Sequence, residues 1–107
     1  MIARIWRGAT PAEKSETYLE YLHHTGLKDY AATPGNRGAM VLRRIAGAQA
    51  EFVVVSFWES MDAIRAFAGP QPERAVYYPA DKEFLLAFEP LVEHYEVAAE
   101  VQSALGA

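Results

Sequence analysis

The run Phe52-Val53-Val54-Val55-Ser56-Phe57-Trp58 has β-branched or aromatic side chains at every position but Ser56. A run without polar alternation predicts a strand covered on both faces. Glu59-Ser60 ends it. Ser60 is placed to cap the next helix, with Asp62 favourable in its first turn. Met61, Ile64, Phe67 and Ala68 recur at helical spacing, and Gly69-Pro70 closes that helix. Upstream, Ile2–Arg7 alternates in part and predicts the first strand, with Arg4 on the same face as Ile2 and Trp6. Thr10-Pro11-Ala12-Glu13 predicts a helix start, with Thr10 as N-cap, Pro11 at the first helical position and Glu13 reaching back. Ser15, Tyr18, Leu19, Leu22 and Gly26 mark the buried side of this helix, which is expected to run to about Leu27. Pro34-Gly35-Asn36 is a turn, Gly38–Ile45 the second strand, and Gly47 the turn of a hairpin onto the central strand. Asp81 is expected to cap a short helix bearing Phe84, Leu85 and Phe88 on one side, and Leu91–Ala99 is the last strand.

This order predicts an α+β, ferredoxin-like βαββαβ fold, with four antiparallel strands in the order 4-1-3-2 and helices on one face. Val53, Val55 and Phe57 share one face of the central strand, and Phe52, Val54 and Trp58 the other. Helices cover one of these faces. A second subunit's sheet is the economical cover for the other, at roughly 1.5–3 kcal/mol per large side chain buried. A homodimer closing two sheets into a dimeric α/β barrel is therefore expected. Residues 1–99 are expected to form a single domain, and 100–107 a C-terminal tail that frays or lies on a partner.

Composition narrows the function classes. At 107 residues the chain fits one domain, and its 51% apolar content excludes a disordered one. The 12% aromatic share suggests an aromatic-lined cavity or a large interface. No cysteine is present, which removes disulfides, thiolate metal sites and thiol nucleophiles and fits a reducing cytoplasm. A net charge of −4 without a basic stripe argues against nucleic-acid binding. The apolar runs are too short for a membrane span, so a soluble, unprocessed cytoplasmic protein is expected. No phosphate loop, nucleotide fingerprint or Ser-His-Asp arrangement is recognisable.

The chain resembles the antibiotic-biosynthesis-monooxygenase type of the dimeric α/β-barrel superfamily. The resemblance spans about residues 1–98. It is carried by Thr10-Pro11-Ala12-Glu13, Phe57-Trp58-Glu59-Ser60, Phe67-Ala68-Gly69 and Glu93-His94-Tyr95-Glu96-Val97. It implies kinship with cofactor-free oxygenases of polycyclic phenols and quinols, and with haem-degrading enzymes. The cavity tryptophan of the haem-degrading members falls on Phe67, their haem-ligating histidine on Tyr77 or Tyr78, and their strand-one asparagine near Trp6. Haem degradation is therefore not expected, and no cofactor is.

His94 is the candidate general base, held by Glu96 on its own face, or else a histidine merely satisfied at an interface. Arg4 is a candidate to steady an anion, although a buried pair with Glu96 is its simpler fate. Trp6, Trp58, Phe67, Tyr77 and Tyr78 are candidates to line a flat pocket for a small aromatic ligand, or else they are core. Tyr77-Tyr78 lies in a proline-broken stretch that suits a mobile flap. Adjacent His23 and His24 point about 100° apart on a helix and cannot chelate one metal, so no metal site is expected. Together these features suggest a cofactor-independent monooxygenase of a phenol- or quinol-like aromatic. The alternative is a non-catalytic dimeric binding module of the same fold.

Overall fold

The structure, a computed structural model, describes residues 1–104. Its elements are β1 (Ile2–Pro11), α1 (Ser15–His24), α2 (Gly26–Ala32), β2 (Asn36–Ala46), β3 (Gln49–Trp58), α3 (Met61–Ala68) and β4 (Glu93–Glu96). Single 3-10 turns occupy Ala12–Lys14 and Pro79–Glu83. The four strands pair antiparallel in the order β2-β3-β1-β4, which is the order expected of the ferredoxin-like α+β fold.

Register divides the sheet into two unlike faces. β1 runs against β3 from Ile2 opposite Trp58 to Pro11 opposite Gln49, so Arg4 faces Ser56 and Trp6 faces Val54. Ala50, Phe52, Val54, Ser56 and Trp58 are buried, and the apolar ones form one core with Tyr18, Leu22, Tyr30 and Ile64 from the three helices. Val53, Val55 and Phe57 point the other way and are only half-buried. Met40 and Leu42 stand opposite Val55 and Val53 on that open face and are 50% and 49% exposed. Both faces of β3 are apolar, as the sequence indicated, and a single chain covers one.

Local signals hold where one residue decides them. Ser60 Oγ accepts the Ala63 N–H at 3.2 Å, and Gly69, at φ 91°, ends α3. Elsewhere longer-range contacts win. Thr10 does not cap a helix. The Ala12 N–H bonds the Ala48 carbonyl at 2.8 Å, which prolongs the β1–β3 ladder, and the Thr10 hydroxyl donates to the Pro11 carbonyl at 2.9 Å. The first α-helix then starts only at Ser15, without a side-chain cap. It breaks at Thr25 (φ −121°, ψ −98°), and α2 carries the chain beyond Leu27 to Ala32. No helix continues past Glu83, because the Leu86 N–H turns to the Ala9 carbonyl on the free edge of β1 at 3.0 Å. The last strand is shorter than expected, and its outlying Leu91 makes only an isolated bridge to Arg74. Of the expected tail, 100–104 has no regular structure, and 105–107 lies outside the described residues.

Candidate functional site

Under the covered face a cavity of about 30 Å³ opens between β1, the α1–α2 break and the 76–78 strap. That is room for an ordered water but not for an aromatic ring. Five of the residues singled out from sequence line it: Arg4, Trp6, Phe67, Tyr77 and Tyr78. Two do not. Trp58 is fully buried behind them, donating Nε1–H to Ser56 Oγ at 2.9 Å and stacking on Phe67 at 5.7 Å. It sets the wall without forming its surface. His94 lies just outside the lining, beside Arg4.

Arg4 is 2% exposed, and its guanidinium stands 5.5 Å from the Phe67 ring centroid. Nη2 donates to the Arg74 carbonyl at 2.8 Å, whereas Nε is buried with no acceptor. Burial lowers its pKa, and the neighbouring Tyr30 hydroxyl opposes that shift. Guanidinium stays a cation even so. The expected Arg4–Glu96 pair does not form. β1 and β4 do pair, but the register sets Arg4 against His94 and leaves Glu96, which is exposed, opposite Ile2. Glu96 does not hold His94 either, since its carboxylate is exposed to solvent. The His94 Nε2 is buried and unpartnered, and burial, then Arg4, holds the imidazole below its usual pKa while Glu73 pulls the other way. At neutral pH it is an uncharged base.

The aromatic wall is pinned by hydrogen bonds. Trp6 Nε1–H donates to the Tyr77 hydroxyl at 3.1 Å, and that hydroxyl donates to the Glu89 carbonyl at 2.5 Å. The Trp6 ring lies over Gly8, where an added Cβ would fall 2.3 Å from it. The Tyr78 hydroxyl donates to the Asp29 carboxylate on α2. The strap itself is tied to the chain before β4 by Ala75 N–H to Pro90 O at 3.0 Å and Val92 N–H to Glu73 O at 2.8 Å. These bonds make it a fastened strap, not the loose flap its prolines suggested.

Sequence reasoning missed Asp81. It reads as a cap, and it does accept the Tyr78 N–H at 2.6 Å. It also lines the cavity, 3% exposed, and accepts the Tyr18 hydroxyl at 3.3 Å. Burial pushes its pKa up, against the pull of those two bonds. The cavity thus combines a buried cation, a buried carboxyl group and an aromatic wall. Among the described residues, no three His, Asp or Glu side chains are grouped to hold a metal, and no helix is long and apolar enough to cross a membrane.

A family model for antibiotic biosynthesis monooxygenases matches residues 1–71. No curated protein matches the chain. Among solved structures the chain is similar to MhuD, a heme-degrader from Mycobacterium tuberculosis with two hemes bound in its active site. That match has 21% identity over 94% of this chain and 99% of that one, with a TM-score of 0.61. A mutant of MhuD with two manganese protoporphyrin IX bound per active site matches at 23% identity over 96% and 100%, TM-score 0.60. A heme-free structure of a heme-degrading protein from M. tuberculosis matches at 24% identity over 94% and 99%, TM-score 0.59. At these identities the likeness speaks for the fold.

Proposed function

The chain belongs to the antibiotic biosynthesis monooxygenase family, and from that we propose that it is a cofactor-independent monooxygenase of a small, electron-rich aromatic. The family supports monooxygenase-type activity in general. One observation supports the finer reading: Arg4 Nε and His94 Nε2, on paired strand positions beside the aromatic wall, are both buried and both without a partner. His94 takes the proton of a ring hydroxyl, and Arg4 steadies the resulting oxyanion. The electron-rich anion then reduces O₂. The ring loses two hydrogens and gains one oxygen atom, and the second oxygen leaves with those hydrogens as water. Trp6, Phe67, Tyr77 and Tyr78 orient the ring, with Trp58 behind them. The ring enters only if the strap swings away, opening the Tyr78–Asp29 and Tyr77–Glu89 bonds.

Haem does not fit these residues. The positions that the resemblance assigns to its ligand hold Tyr77 and Tyr78 in place of a histidine, and the position it assigns to the cavity tryptophan holds Phe67. In the same reading residues 1–99 act as one domain, and the open face of Val53, Val55, Phe57, Met40 and Leu42 meets a second copy, closing a homodimeric barrel. The small cavity favours one alternative, a dimeric module that binds a ligand without turning it over.

The test is oxygen uptake by metal-free protein on a panel of phenols and hydroquinones. Turnover that falls in His94→Asn and Arg4→Gln is the expected result. No uptake on any member, with His94 titrating independently of added aromatics by NMR, would leave only the binding module.

A further inference from the structure

Among the described residues five of the seven arginines are ion-paired, and all five lie where pairing is needed least. Arg7, Arg37, Arg43, Arg44 and Arg65 each face a carboxylate: Glu93, Glu59, Glu16, Glu51 and Asp62 respectively. All five side chains are a third exposed or more, where water already solvates the charge. Arg4 alone is buried, and among the described residues no carboxylate lies within ion-pair distance of it. A guanidinium cannot shed its proton, so this is a permanent charge in an apolar wall. Its one carbonyl partner uses Nη2 and leaves the Nε–H unspent. His94 beside it is neutral, and exposed Glu73 bears on His94, not on the guanidinium.

We infer that the missing counter-ion is brought by the ligand, an aromatic acid whose single carboxylate docks on Arg4. The inference rests on reading this cavity as the substrate site. Phe67 lies against the guanidinium and, with Trp6 in the same lining, supplies the surface for a flat ring. The free volume of about 30 Å³ takes the carboxylate oxygen, and the ring follows into the space the strap vacates. Asp81 limits the ligand to one charge. Its buried carboxyl lines the same cavity and would repel a second carboxylate.

Benzoate and benzamide share shape and differ in charge, so titrating the wild-type protein with both, followed by tryptophan fluorescence, reads the charge requirement directly. Benzoate is expected to bind once per chain and about tenfold or more tightly than benzamide, and the difference should vanish in Arg4→Gln. Terephthalate should bind more weakly than benzoate. Equal affinity for benzoate and benzamide, no benzoate binding at millimolar concentration, or a preference that survives in Arg4→Gln overturns the inference. Should Arg4→Gln not fold, the wild-type comparison decides alone. Oxygen uptake on neutral phenols without benzoate binding defeats the carboxylate and leaves the activity. Benzoate binding without uptake on any aromatic does the reverse.

Discussion

Phe52 and Phe57 stand on the same strand and differ chiefly in the face they serve. Phe52 is packed edge-on against Tyr18 at 5.1 Å under the helices and is 1% exposed. Phe57 looks out from the open face and is only half-buried. Around Phe52's face lie the polar groups Arg4, Ser56 and His94, with Arg4 opposite each of the other two across a strand pair. Around Phe57 the sheet carries Val53, Val55, Met40, Leu42 and Ile5, apolar though exposed or only half-buried, together with the Arg7–Glu93 and Arg44–Glu51 ion pairs. The covered face thus holds a few buried polar groups within an apolar core, and the open face leaves apolar groups uncovered. Buried polar groups are retained where a site needs them, and exposed apolar groups where a surface is covered in the assembly.

The contrast is broken or sharpened most strongly by truncating the two rings. Phe52→Ala should cost about 3–5 kcal/mol at any protein concentration, since it leaves a cavity in the core. Phe57→Ala should cost less, and its cost should grow as the protein concentration rises towards dimer formation. Paired denaturation series at several concentrations check this, and a concentration-independent loss in Phe57→Ala would leave the open face without a partner. Tyr77→Phe comes next, at about 1–2 kcal/mol, because it strips the Glu89 carbonyl of a donor and the Trp6 N–H of an acceptor. Tyr78→Phe, at an exposed bond to Asp29, should cost less than half of that by the same denaturation measurement.

The effect of pH on His94 is smaller. Its folded pKa lies below the unfolded value of 6.5. The unfolded chain therefore takes up a proton first, and stability present above that value is lost as pH falls through the folded one. Denaturation midpoints compared across about pH 7 to 5 should show a weaker acid-side decline in His94→Asn than in wild type. Equal slopes would place the imidazole in water. Arg4→Met should change stability least, staying within about 1 kcal/mol of wild type or exceeding it, because it removes an unpaired buried charge at the cost of one hydrogen bond. Oxygen uptake should nevertheless be lost. A large destabilisation would mean that the protein itself supplies the counter-ion.

What the sequence disclosed was what neighbouring residues decide. Ser60 caps α3 and Gly47, at φ 63°, turns the hairpin, and each acts within a few residues of itself. The two-sided character of β3 was legible for the same reason. Thr10 misled because a ladder bond from Ala12 to Ala48 outweighs a cap, and that bond depends on a strand pairing far along the chain. The Arg4–Glu96 expectation failed by two positions of register, which no local pattern specifies. Asp81 was read as a cap and nothing more. Only the fold brings Tyr18, from α1, against its carboxylate and turns a capping residue into part of the cavity.

Gly8 contributes nothing to the wall of that cavity, yet the resting place of the Trp6 ring exists only because position 8 has no side chain. The ring can leave that place in one direction of change: any side chain at Gly8 displaces it and releases the Tyr77 hydroxyl it holds. The shape of the cavity is thus set at a position outside its lining. Drift at this one codon would reshape the cavity while every lining residue stayed the same. A survey of natural or laboratory variants that scores only wall residues would overlook it.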